Sequence, residues 1–174
     1  EKYFNDPSLV SNSSFFLPYL SGERTPHNDP HIRGSFHAMK TTTDATNMQY
    51  AVIEGISFGI LDGVNSILKV NDNFEKIFMV GGGSRSSFWI ELLASLLNRN
   101  LSVCDQSEYG AALGVARLAM HSDKSIQNNN IIKEITISKD YFPSSNKSDM
   151  LMKRYRIWKD LYSTNKKIAS NLIS

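Results

Sequence analysis

The stretch FMVGGGSRSSFWIELLASLL, residues 78–97, constrains this chain more than any other. An apolar run ends in three consecutive glycines, followed by serines and then by a segment with helical periodicity. Glycine carries no Cβ, so it admits positive φ and lets another group come close to the main chain. A helix that begins beside such a turn presents unpaired N–H groups and a partial positive charge. The stretch therefore reads as a strand handing over to a helix, either as a cradle for a phosphate or nucleotide or as a tight turn that binds nothing. A second short apolar run, LSVC, and the alanine-rich GAALGVARLAMHS continue the alternation. Residues 76–122 thus predict a parallel βαβα core with short loops, its last helix built of small residues suited to lying close against a sheet.

Upstream, residues 15–20 read as a short buried strand, residues 21–34 as a polar loop rich in turn formers, and SFHAM as another extended run. Thr43 or Asp44 can cap a long helix in which Met48, Val52, Ile56, Phe58, Ile60, Val64 and Ile67 recur every three or four residues. Gly55, Gly59 and Gly63 fall on one stripe of that helix. Each costs ~1 kcal/mol against alanine, so the stripe predicts a close neighbour. Downstream, a polar loop leads to an extended segment ended by Pro143. An amphipathic helix over residues 148–169 then carries Met152, Tyr155, Trp158, Leu161 and Tyr162. Extended segments followed by the alternating core make an α/β sandwich.

Composition removes several classes of function. The chain has 174 residues, 41% hydrophobic and 21% charged, as a single domain with its own core would have. A net charge of +2 without a basic tract argues against a nucleic-acid or polybasic membrane surface. No apolar run approaches the ~18 residues that span a bilayer, and Glu54 and Asp62 mark the long helix as soluble. The single cysteine, Cys104, reads as a buried strand residue, and a cytoplasmic protein is expected. The opening on Glu1 without methionine suggests a piece of a longer chain, cut at a domain boundary.

The run FLPYLSGERTPHNDPHIRGSF resembles the start of the C-terminal domain of the FGGY family of carbohydrate kinases, and within it the xylulokinases. Gly34, Phe36, Asn47, Met48, Ala51 and Glu54 follow at the family's intervals, with Ala38 where glycine is usual. GGGSRSSFW matches the family's adenosine-side motif, and GAALGVARLA its closing helix. The resemblance implies a ribonuclease-H-like, actin-like ATPase domain: an α/β unit with a mixed sheet and a βαβα core flanked by helices. It would form the second lobe of a two-lobed sugar kinase built like actin, hexokinase and Hsp70. Residues 1–174 would be one nucleotide-binding domain lacking the N-terminal lobe, which in the family holds the catalytic aspartate, most sugar contacts and the first phosphate loop. No catalytic residue is therefore assigned here, and weak nucleotide binding without turnover is expected of the chain alone. The implied reaction is ATP-dependent phosphorylation of D-xylulose to D-xylulose 5-phosphate, with Mg2+ arriving on ATP. Gluconate, ribulose, fuculose or glycerol are alternative acceptors, and a stand-alone nucleotide-binding module is the alternative of another class. The partners the resemblance implies are ATP, a small sugar, the other lobe and a second copy, since family members are often dimers.

On this reading Gly81, Gly82 and Gly83 let a nucleotide lie against bare backbone. Ser84, Ser86 and Ser87 open the following helix with hydroxyl and N–H groups free for ribose, adenine or phosphate. Related glycerol kinases carry asparagine at the position of Ser86; serine reaches less far, and its plain role is a helix N-cap. Glu91 and Ser95 read as a solvated helix face, Arg85 as an exposed arginine, and Trp89 as core-facing. Glu23 and Arg24 read as an ion pair fixing the loop. His27 and His31 have the spacing of two zinc ligands, but Pro30 between them breaks the helix such a pair needs. No metal site is assigned. Tyr109 and Gly110 precede a helix expected to pack behind the adenosine pocket.

Overall fold

A computed structural model describes residues 9–10, 14–70, 76–122 and 136–173. Strand β1 (Phe15–Leu17) pairs antiparallel with β2 (Ser35–His37), Phe16 standing opposite Phe36. Between them the expected polar loop folds back on itself. Helix α1 (Ala45–Leu68) starts at Asp44, whose carboxylate accepts the Asn47 N–H while the Asn47 side chain answers the Asp44 N–H. That reciprocal box settles the start of the helix on Asp44 rather than Thr43.

The expected alternation follows. β3 (Ile77–Met79) leads through a 3₁₀ turn, Gly82–Arg85, to helix α2 (Ser87–Leu97) and then to β4 (Leu101–Cys104). β3 and β4 run parallel with Ile77 opposite Leu101, and β5 (Ile137–Tyr141) joins antiparallel on the far side of β4, making a mixed sheet in the order β3-β4-β5. A second 3₁₀ turn, Ser107–Tyr109, opens helix α3 (Gly110–Ser122), and helix α4 (Ser145–Ile173) closes the chain. Residues 123–130, which include most of the expected polar loop, lie outside the described residues.

The composition of α2 explains the architecture. Phe88, Leu92 and Leu96 join one cluster with Leu17, Tyr50 and Phe58 and with Leu151, Tyr155 and Trp158 of α4. Ile90, Leu93 and Ala94 join a second with Leu101 and Tyr141 of the sheet. A helix walled by core on both sides must be apolar nearly all round, and only Glu91 of its residues is exposed.

Four expectations are corrected. Cys104 is half-buried rather than buried; among the described residues the cover of the sheet is α2, on one face. The expected single helix from Ser84 breaks at Ser86, which is extended at φ −95°, ψ 98°. Ser95 is buried rather than solvated: its hydroxyl donates to the Glu91 carbonyl at 2.8 Å and accepts the Ser144 N–H at 3.2 Å, tying α2 to the start of α4. Helix α3 does not lie against the sheet; none of its residues is buried, and Val115 and Leu118 are 68% and 70% exposed.

Candidate functional site

Because β3 and β4 are parallel neighbours, the turns leaving their carboxyl ends lie side by side, where open α/β sheets bind ligands. The first turn begins at Gly81, whose φ of +83° disfavours any side chain. Among the described residues, a Cβ built there would meet nothing within 4 Å, and one on Gly82 only a guanidinium nitrogen of Arg85 at 3.8 Å. These two glycines leave a strip of bare backbone facing open space.

Gly83 is bare for a different reason. A Cβ on it would sit 2.5 Å from the Trp89 ring, so the indole occupies the missing side chain's volume. Trp89 is held there by donating its indole N–H to Ser57 Oγ of α1 at 2.9 Å, and that hydroxyl donates to the Ile53 carbonyl at 2.7 Å. The expected inward orientation of Trp89 is thus seen, with the glycine as its seat.

The three serines face inward too. The buried Ser84 hydroxyl donates to the Gly81 carbonyl at 2.7 Å and accepts from the Ser107 hydroxyl at 2.8 Å. Ser86 Oγ accepts the Trp89 N–H at 3.2 Å, the N-cap role read from the sequence. Ser87 Oγ lies 3.0 Å from the Tyr141 hydroxyl and binds α2 to β5. Of the six residues singled out, the structure therefore brings Gly81 and Gly82 to an open face. It places Gly83 under an indole and gives each serine hydroxyl an internal partner. Ser107, which sequence reading passed over, completes the arrangement by accepting the Gly81 N–H on its carbonyl at 2.8 Å. The pairing of β3 with β4, which brings the two turns together, was the signal that could have found it.

The loop between β1 and β2 forms a separate polar cluster. The expected Glu23–Arg24 ion pair is not formed; Glu23 instead accepts the His27 backbone N–H at 2.8 Å. The His27 ring stacks on Tyr162 of α4 at 3.6 Å, and its Nε2 stands 3.9 Å from Asp62 of α1, which also accepts the Tyr155 hydroxyl. Asp29 takes the His31 and Ile32 N–H groups at 3.0 and 3.1 Å and the Tyr162 hydroxyl at 3.0 Å, with the Lys166 ammonium 3.4 Å away. Burial pushes its carboxyl up, but those donors outweigh it and hold the group below its ordinary value. Asp29 and His27 thus dock the loop onto α1 and α4. Among the described residues, no three His, Cys, Asp or Glu side chains gather as a metal site.

Comparison with known proteins places this chain in a family. Residues 4–122 match the FGGY family of carbohydrate kinases, C-terminal domain. The xylulose kinase of Staphylococcus epidermidis is 30% identical over 169 residues, which are 95% of this chain and 34% of that protein. Among solved structures, a "xyloylose kinase" from Brucella ovis superposes with a TM-score of 0.77 at 30% identity, over 92% of this chain and 35% of the other. A gluconate kinase from Lactobacillus acidophilus gives 0.69 at 27%, over 90% and 33%. The chain spans about a third of the length of these relatives. Its mixed sheet with helices is the actin-like ATPase architecture of the sugar kinases, and the chain belongs to the FGGY family of carbohydrate kinases, matching its C-terminal domain.

Proposed function

We propose that this chain is the nucleotide-binding part of an ATP-dependent sugar kinase that converts D-xylulose to D-xylulose 5-phosphate. The observation that carries the reading is the strip at Gly81 and Gly82: backbone without side chains, open to solvent, at the carboxyl end of a parallel strand pair. Such backbone can lie against a nucleotide that any Cβ would hold off. Phosphoryl transfer is largely a matter of positioning and charge stabilisation, so one part can hold the nucleotide while another holds acceptor and base. Here Gly81 and Gly82 would contact the nucleotide directly. Gly83, Ser84, Ser86 and Ser87 would keep the turn and the start of α2 in place beneath it. Mg2+ would come with the phosphates of ATP and neutralise their charge.

The remaining length of the relatives supports a second part of the same protein as partner, supplying acceptor site and base in a cytoplasmic enzyme. The exposed apolar side chains of α3 and the outer edge of β3, unpaired among the described residues, are the surfaces it would cover. Relatives named for xylulose support D-xylulose as acceptor. The match to a gluconate kinase at nearly the same identity supports gluconate as the second reading, because this domain resembles both.

The test is ADP release by the full-length protein with D-xylulose, D-gluconate, L-ribulose and glycerol at equal concentration. Preference for D-xylulose is expected. Preference for another acceptor would keep the kinase and replace the sugar, and absence of turnover with all of them would remove the kinase reading. Gly82→Val is expected to raise the KM for ATP at least about tenfold by filling the open strip.

A further inference from the structure

We infer that Ser107, on the turn after β4, is a positioning residue for the nucleotide: it holds the Gly81–Gly82 strip in its open shape without touching the ligand. The inference rests on the nucleotide reading of that strip and adds a residue from a different segment of the chain.

Three hydrogen bonds close a ring between the two turns. The Gly81 N–H donates to the Ser107 carbonyl at 2.8 Å, the Ser107 hydroxyl donates to Ser84 Oγ at 2.8 Å, and the Ser84 hydroxyl donates to the Gly81 carbonyl at 2.7 Å. Both polar ends of Gly81 are thereby fixed while its α-carbon stays bare. Both serines are buried, so water does not substitute readily for either bond. The turn carrying Ser107 is itself set: Gln106 adopts the left-handed conformation at φ 57°, and a Cβ on Gly110 would touch Val80 at 3.4 Å. The glycine turn is consequently built against a rigid neighbour rather than by its own sequence. Three glycines in a row would otherwise sample many conformations, and ordering them at the moment of binding would weaken the nucleotide.

The experiment compares Ser107→Ala, Ser84→Ala, the double variant and Gly82→Val in the full-length protein. MgATP binding is read by calorimetry, initial rates are taken with ATP and acceptor varied separately, and folding is followed by melting. Ser107→Ala is expected to weaken MgATP and raise its KM about fivefold, the weight of one hydrogen bond, while kcat and the KM for the acceptor hold. The double variant is expected to lose no more than Ser84→Ala alone, because both break the same ring. Ser107→Thr, which restores the hydroxyl, should recover affinity. If Gly82→Val weakens ATP and Ser107→Ala does not, the inference falls and the nucleotide reading stands. If neither changes ATP binding, the nucleotide reading falls and takes the inference with it. If Ser107→Ala changes both Michaelis constants and kcat together, or the double variant's losses add, Ser107 is a folding residue and the inference is overturned.

Discussion

Glu54 is the side chain on which the packing of α1 against α4 turns. Its carboxylate is 1% exposed and takes two donors from Arg154, Nε at 2.6 Å and Nη2 at 2.7 Å, while that guanidinium also lies over the Phe15 ring. Burial pushes the Glu54 carboxyl up and Arg154 pulls against it. Removing the arginine leaves burial unopposed. Arg154→Met is therefore expected to cost about 3–5 kcal/mol at pH 8, the usual consequence of stranding a buried charge. A carboxyl raised in the folded state gives stability that is present below its unfolded value and lost as pH climbs through the folded one. The variant's melting temperature should accordingly rise on acidification from pH 8 toward 5; a deficit constant over that window would mean that Glu54 is not left charged. The pairing was not legible in the sequence, where Glu54 read as a mark of a soluble helix and as one position of the family pattern, and Asp62 as a mark of a soluble helix. A charge shows its partner only when a residue a hundred positions away folds onto it. By contrast Ser86 as N-cap was legible, because a cap is set by its immediate neighbours.

At the scale of elements, α1 separates a correct prediction from an overextended one. The glycine stripe predicted a close neighbour along its length, and among the described residues the structure supplies one at Gly55 alone. A Cβ there would collide with the Phe16 carbonyl oxygen of β1. At Gly59 it would meet only Pro18 at 3.8 Å, and at Gly63 nothing within 4 Å. Gly55→Ala must therefore push β1 off the helix and is expected to destabilise by about 3 kcal/mol, as overpacking does. Gly63→Ala should stabilise by about 0.5–1 kcal/mol through helix propensity alone. Urea unfolding of both decides it, and equal effects would refute the assignment. The periodicity identified the helix but not its buried side: of Met48, Val52, Ile56, Phe58, Ile60, Val64 and Ile67 only Phe58 is buried, while Tyr50, Ala51, Glu54, Gly55 and Leu61 face the core. Contact along a stripe depends on where β1 ends. The same helix has the length and hydropathy of a membrane span, yet its Glu54 and Asp62 are tied to α4 by Arg154 and Tyr155, as in a core helix.

For the whole molecule, the alternation of strands and helices was readable because each unit carries its own period, while the position of α3 was not. Its small residues implied a sheet beneath it, and the described residues provide none that buries it. Leu118→Lys is expected to leave the melting temperature of these 174 residues within about 1 °C, since the side chain is already exposed. The same change should destabilise the full-length protein if the remaining part covers α3. A drop in the isolated chain as well would place α3 against its own domain. Helix α2 has the opposite situation. With one side in the Tyr50–Trp158 cluster and the other in the Leu101–Tyr141 cluster, it is a wall common to both. Neither cluster can melt while leaving the other intact. The chain should therefore unfold in a single calorimetric transition, with the amides of α2 among the last to exchange their hydrogens.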